Sequence, residues 1–274
     1  MSDSGVDAPL RVLLAGGGTA GHVEPALSLA DALKRRLPVE ITALGTAAGL
    51  ESVLVPARGY ELSLIPRVPL PRRLSLDLLT MPLRLRHAVR AAKNVIDSFR
   101  PHVVVGFGGY VALPAYLAAR QARVPIVVHE ANVRAGVANR IGARLTTFVA
   151  VSTTNSSLPH GQMTGIPLRR SVATLNRAEH RAAARQEWGL DRDRPTLLAF
   201  GGSQGAQRIN QAMATAAPQL LERGVQVLHV VGKGNTLRVA DEAPPNDDAA
   251  PYVVVPYVEH MERAYAAADL ALCR

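Results

Sequence analysis

The sequence predicts an α/β protein of two similar domains, each a parallel sheet covered by helices. Three observations predict it. The chain has 274 residues, room for two domains at roughly 150 residues each. Short runs of consecutive apolar, branched residues alternate with helical segments, as strands buried on both faces of a parallel sheet do. The series also starts twice, each time with a strand that enters a Gly-rich turn and then a helix. No shorter repeat is present, which excludes a solenoid.

Taken in order, the first series has strands at Val12 to Ala15, Ile41 to Leu44, Val103 to Phe107, Ile126 to His129 and Phe148 to Val151. A polar, Arg-rich segment from Arg169 to Pro195 follows. The second series then has Thr196 to Phe200, Val225 to Val231 and Tyr252 to Pro256. Gly165 and Pro167 punctuate the junction, which puts the domains at 1–168 and 169–274. Asp269 to Cys273 reads as the start of a further buried strand, with no helix after it to cover it. Because an uncovered apolar strand is unfavourable, the second domain reads as incomplete, truncated or finished by a partner.

Apolar residues make up 48% and charged residues 19%, which excludes disorder as the main state. The net charge of +9 attracts phosphates, nucleic acid or anionic lipid without choosing among them. Cys273 is the only cysteine, so an internal disulfide and a cysteine zinc cluster are both excluded. The first ten residues lack a basic leader region, so the expectation is a cytosolic protein in a reducing compartment. Pro101 to Ala119 is an uncharged run of 19 residues, nominally long enough to span a bilayer. Gly106, Gly108, Gly109 and Pro114 make it a strand, a turn and a helix instead. Asp191-Arg192-Asp193 has the form of a sugar-transferase metal site, but it lies in an Arg-rich loop far from any strand end. No metal is expected.

Gly16 to Gly21 is a literal G-x-G-x-x-G between a strand and a helix, the context in which bare amides and a helix N-terminus hold a phosphate. A nicotinamide enzyme would need an acid ending the second strand to hold the ribose. That strand ends Leu44-Gly45-Thr46, and the nearest acids, Glu40 and Glu51, fall outside its end. Gly201-Gly202-Ser203-Gln204-Gly205 adds a hydroxyl and an amide to the same device, suited to a diphosphate. Two such turns facing each other across a cleft suggest a two-substrate transferase. His22, beside the first turn, has the side chain of a general base, and His129-Glu130-Ala131-Asn132 leaves its strand at the same edge. Tyr110, after Gly106 to Gly109, brings a hydroxyl to that edge.

Between Arg67 and Arg100 lie eight basic residues against two acidic ones, interleaved with leucines. Leu85, Val89, Ala92 and Ile96 fall at helical spacing and face the core. The leucines before Pro82 have no obvious inner face. Arg72, Arg73, Leu76, Leu79 and Arg84 therefore read as a contact with an anionic membrane. A plain solvated helix is the alternative. With 4% aromatic residues and no stacking platform, nucleic acid is disfavoured as a partner.

GGGTAGHVEPAL, GFGGYVALPA, HEAN followed by Asn139, TGIPLR, GGSQGA and YVEHMERAYAAADLALCR resemble, in that order, the MurG family of peptidoglycan glycosyltransferases, from Leu10 to the last residue. The resemblance implies two facing Rossmann-like domains of GT-B type and inverting, cofactor-free and metal-free transfer of N-acetylglucosamine. The donor would be UDP-N-acetylglucosamine and the acceptor an undecaprenyl-diphospho-N-acetylmuramoyl-pentapeptide. The enzyme would sit peripherally on anionic lipid at the cytoplasmic face of the plasma membrane. Carried over, Thr19, Ala20 and Gly21 lie near the donor sugar and acceptor phosphates, and Asn132 meets the donor sugar. Arg169 and Ser203 would contact the nucleotide beside Gln204, and Val258 would meet the uracil through its backbone. The base would be His22, with Glu130 its rival. The sequence departs from the family pattern at Ala20, Ala131 and Ile166. The family also continues past the position of Arg274 with a turn that grips the ribose and a Gln-containing loop that holds the sugar. The 274 residues alone are therefore expected to bind donor poorly and turn over little. The competing classes are a nicotinamide-dependent nucleotide-sugar epimerase or dehydrogenase, and a non-catalytic fragment.

Overall fold

The computed structural model describes residues 8–68, 77–202, 204–237 and 250–274, without the side chains of 77–80. Two compact units divide the chain, Met1–Arg169 and Arg170–Arg274. The first contains β1 (Leu10–Gly16), α1 (Ala20–Lys34), β2 (Val39–Gly45), α2 (Glu51–Ala57), β3 (Glu61–Leu64), α3 (Asp77–Phe99) and β4 (Val103–Gly108). It continues through α4 (Ala112–Gln121), β5 (Ile126–Glu130), α5 (Val137–Gly142), β6 (Val149–Val151) and β7 (Gly161–Met163). Its seven described strands are all parallel, in the order β3-β2-β1-β4-β5-β6-β7.

β1 shows why its residues are apolar without alternation. Successive side chains leave a strand on opposite faces. Leu13 and Ala15 enter a core with Ala92 and Ile96 of α3 and Tyr116 of α4, while Val12 and Leu14 enter a second core with Leu27 of α1 and Tyr60. Helices thus cover both faces, and truncating Leu13 to Ala would cost about 3 kcal/mol. The expected helical face of α3 is present: Val89, Ala92 and Ile96 are buried and Leu85 packs against them.

The second unit contains α6 (Arg170–Ala173), α7 (Arg177–Glu187), β8 (Thr196–Phe200), α8 (Gln207–Glu222), β9 (Gln226–Val230), β10 (Tyr252–Val255), α9 (Met261–Ala267) and β11 (Leu270–Cys273). Its strands are parallel in the order β10-β9-β8-β11. One expectation is corrected here. β11 is a strand, but it is not buried: Leu270 is 69% exposed and Leu272 41%. It pairs only with β8, and among the described residues no second strand lies along its outer edge. Two strands also escaped the sequence reading, β3 and β7. Both sit at the edges of the first sheet, and every residue of β7 is exposed, so neither carries the continuous apolar run of a central strand.

Candidate active site

In the first unit the candidate groups gather where β1, β4 and β5 end. Thr19 is the exposed N-cap of α1, and Ala20 and Gly21 open the helix. Half-buried His22 stands one turn in. Its Nδ1 lies 3.1 Å from the Gly17 carbonyl oxygen and 3.2 Å from Thr19 Oγ1. The carbonyl can only accept, so a hydrogen bond here needs a proton on Nδ1, which in a neutral ring leaves the Nε2 lone pair free. Nε2 sits against Gly108, where an added Cβ would come within 3.1 Å of it. Gly109 packs its backbone directly on the Gly17 carbonyl, at φ +80, and only glycine fits that approach. Tyr110 flanks Gly18, with the Arg67 guanidinium 4.5 Å from its ring centre.

Beyond Gly108 lies a saturated carboxylate. Glu130 Oε1 accepts from the backbone and side-chain N–H groups of Asn132, each at 2.9 Å. Its Oε2 accepts from Gly136 N–H and Asn139 Nδ2, each at 3.0 Å. Asn139 in turn accepts from Tyr116 Oη at 2.8 Å. Burial and then the Glu130 charge push the Tyr116 hydroxyl well above the usual tyrosine range, so it remains a donor. Glu130 itself is buried, and it orders the loop that presents exposed Asn132.

Arg169 closes the first unit. Its Nε donates to Glu24 Oε2 at 2.7 Å and its Nη2 to Glu24 Oε1. Arg58 reaches the same carboxylate at 3.1 Å. Burial raises the Glu24 pKa, but the hydrogen bonds and charges of Arg169 and Arg58 outweigh it and hold the group below the usual carboxylate range. A nucleotide taken by Arg169 would therefore compete with Glu24.

In the second unit the turn after β8 is clamped by the loop after β9. Gly205, at φ +75, lies so close to the Val231 carbonyl that no side chain fits. Asn235 Nδ2 donates to the carbonyls of Gln204 (2.9 Å) and Val231 (3.1 Å). Asn210 of α8 donates to Val231 O at 3.0 Å and turns its Oδ1 to His229 Nε2 at 3.1 Å, while His229 Nδ1 meets Tyr252 Oη at 2.9 Å. Burial lowers the His229 pKa and pushes that of Tyr252 up to about 12. Exposed Gln204 stands on this turn, and Ser203 lies outside the described residues. Lys233 Nζ rests 4.2 Å from the Tyr257 ring centre, and the next side chain, Val258, is buried in the core.

Arg72, Arg73 and Leu76 of the basic stretch lie outside the described residues, as does the side chain of Leu79. Arg84 is exposed on α3, next to Leu83, which is 61% exposed. Among the described residues no helix is long and apolar enough to cross a membrane.

The sequence reading missed the role of Glu51. It is the acid nearest the end of β2, yet its carboxylate turns inward, fully buried. Thr46 donates to its Oε1 through both N–H and Oγ1 at 2.9 Å, and Gly18 N–H donates to Oε2 at 2.8 Å. The signal was present as Gly17, Gly45 and Gly49, all of which leave room for this one side chain.

Residues 12–151 match the N-terminal domain of glycosyltransferase family 28, and residues 196–274 match its C-terminal domain. The UDP-N-acetylglucosamine--N-acetylmuramyl-(pentapeptide) pyrophosphoryl-undecaprenol N-acetylglucosamine transferase of Streptomyces avermitilis is 56% identical over 266 residues, 97% of this chain and 72% of the relative. The transferase of the same name from Streptomyces coelicolor is also 56% identical over 266 residues, with the same coverage. Among solved structures, MurG of Acinetobacter baumannii matches with a TM-score of 0.71 at 27% identity, over 97% of this chain and 73% of that one. A UDP-GlcNAc 2-epimerase from Neisseria meningitidis reaches a TM-score of 0.63 at 16% identity, over 96% of this chain and 77% of its own, a likeness of fold alone.

Proposed function

We propose that this chain, which belongs to glycosyltransferase family 28 and within it to the MurG group, transfers N-acetylglucosamine from UDP-N-acetylglucosamine to undecaprenyl-diphospho-N-acetylmuramoyl-pentapeptide in peptidoglycan synthesis. The observation that carries this reading is 56% identity to transferases of that name over 97% of the chain.

The reaction is an inverting displacement. The acceptor 4-hydroxyl attacks the anomeric carbon, the bond from that carbon to the diphosphate oxygen breaks, and UDP leaves with the electron pair. His22 Nε2 takes the hydroxyl proton. Its Nδ1 engages Gly17 O, which supports this role, whereas Glu130 already accepts four hydrogen bonds and orients Asn132 toward the donor sugar. Thr19, Ala20, Gly21 and Tyr110 serve the acceptor and sugar in the first unit. Ser203 and Gln204 serve the donor diphosphate, Val258 the uracil, and Arg169 the nucleotide. Charge developing on the leaving diphosphate is stabilised by the amides of the Gly201 to Gly205 turn. Arg72, Arg73, Leu76, Leu79 and Arg84 hold the protein on anionic lipid at the cytoplasmic face of the plasma membrane.

The test follows labelled N-acetylglucosamine from UDP-N-acetylglucosamine into a lipid-linked muramoyl acceptor. His22→Ala lowers turnover by about 10²-fold or more and leaves the dissociation constant for the donor nearly unchanged. Near-normal turnover in that variant removes His22 from the mechanism, and absence of transfer by the unaltered protein removes the function.

A further inference from the structure

We propose that Glu51 is a positioning residue for His22, acting through the one peptide group that joins Gly17 to Gly18. It holds the imidazole in the tautomer with Nδ1 protonated and Nε2 free. This proposal rests on His22 being the base of the reaction above.

The N–H and the C=O of that peptide belong to one plane and, in a trans peptide, point in opposite directions. The Gly18 N–H donates to Glu51 Oε2 at 2.8 Å, and the Gly17 C=O faces His22 Nδ1 at 3.1 Å. Fixing one end of the plane therefore fixes the other. A carbonyl oxygen has no proton to give, so it selects the imidazole form that donates from Nδ1. Thr19 Oγ1, 3.2 Å from the same nitrogen, could donate or accept, and alone would leave the tautomer open. The carboxylate also does more than hold the plane. A charge-assisted bond to the amide N–H polarises the peptide and strengthens its carbonyl as an acceptor, since hydrogen bonds in a chain reinforce one another.

The surroundings prevent the peptide from turning over. Gly109 lies against the Gly17 carbonyl on one side. On the other, a Cβ at Gly17 would stand 2.8 Å from Glu51 Oε1, so the carboxylate packs closely against this stretch of backbone. Glu51 is fully buried, and its other oxygen is tied to Thr46 by two bonds, so its own position is set independently of His22. The arrangement resembles a carboxylate holding a catalytic imidazole directly, with one main-chain peptide inserted between the two.

The imidazole nitrogens of isotopically labelled protein report the tautomer directly by their ¹⁵N shifts. In the unaltered protein, with the ring neutral, the proposal expects His22 Nδ1 to be protonated and Nε2 bare. The opposite tautomer, or an even mixture, overturns it whether or not any variant folds. Glu51→Gln keeps the shape and removes the charge. It is expected to shift the tautomer toward a mixture and to lower turnover about tenfold with KM for UDP-N-acetylglucosamine unchanged. Thr46→Val removes one of the two bonds that anchor this carboxylate and leaves its charge and its bond to Gly18 in place, so it is expected to shift the tautomer less than Glu51→Gln does. A folded Glu51→Gln protein with unchanged tautomer and turnover overturns the proposal. If that variant shifts the tautomer while His22→Ala keeps its turnover, the link from Glu51 to His22 stands and the assignment of His22 as base falls.

Discussion

His229 is fully buried between Asn210 and Tyr252, and burial holds its pKa below the ordinary value, so the folded state keeps the ring neutral. The unfolded chain titrates at about pH 6.5, so below that point it binds more protons than the native state. The stability that His229 contributes is complete above about pH 6.5 and falls as the pH drops toward the depressed native value. Thermal melts of the second unit should therefore lose midpoint as acidity rises through this range, and His229→Gln should flatten that slope. An equal slope in both proteins would remove His229 as its source. At this scale the sequence revealed groups whose place follows from the strand-turn-helix pattern. His22 follows a Gly turn and Glu130 ends an apolar run, so both are assigned to the sheet edge without coordinates. The role of Glu51 could not be read in the same way, because a helix start six residues beyond Gly45 has to fold back beneath β2 before its carboxylate reaches Gly18, 33 positions away in the chain.

Asp269, just before β11, shows how one residue fastens two other elements. Its Oδ2 accepts from Thr196 N–H at the start of β8 and from Arg185 of α7, each at 2.8 Å, while Arg181 of α7 reaches Oδ1 at 2.9 Å. Burial raises the Asp269 pKa, but the Thr196 amide and the two arginines outweigh it, so the folded value lies below the ordinary one. This contribution is present at neutral pH and is lost as the pH falls below about 4 through the folded value. Asp269→Asn should cost about 2 kcal/mol in urea melts at neutral pH and much less in acid, and a loss independent of pH would count against the ion pairs. Element by element, the central strands were legible because burial on both faces demands an unbroken apolar run. β3 and β7 were not, since an edge strand can be half-solvated and β7 is fully so. β11 misled in the other direction, its apolar sequence promising a burial that its edge position does not provide.

The molecule as a whole carries a net charge of +9, and one basic stretch, between Arg67 and Arg100, is interleaved with leucine. Vesicles containing anionic lipid should bind it in a manner that weakens with salt, and the triple change Arg72→Glu, Arg73→Glu, Arg84→Glu should weaken it further, at about 1 kcal/mol per basic residue removed. Binding indifferent to both would discard the membrane contact. The parallel topology has a further consequence, for the speed of folding. Every described pairing joins parallel strands, so no hairpin can nucleate either sheet. β1 is an interior strand of the first sheet and pairs on one side with β4, whose first residue, Val103, is about ninety residues downstream of Leu10. A nascent first unit therefore leaves its N-terminal strand half-paired until that stretch has emerged, and refolding from denaturant should be limited by this long-range closure, in the slow millisecond-to-second regime of non-local sheets.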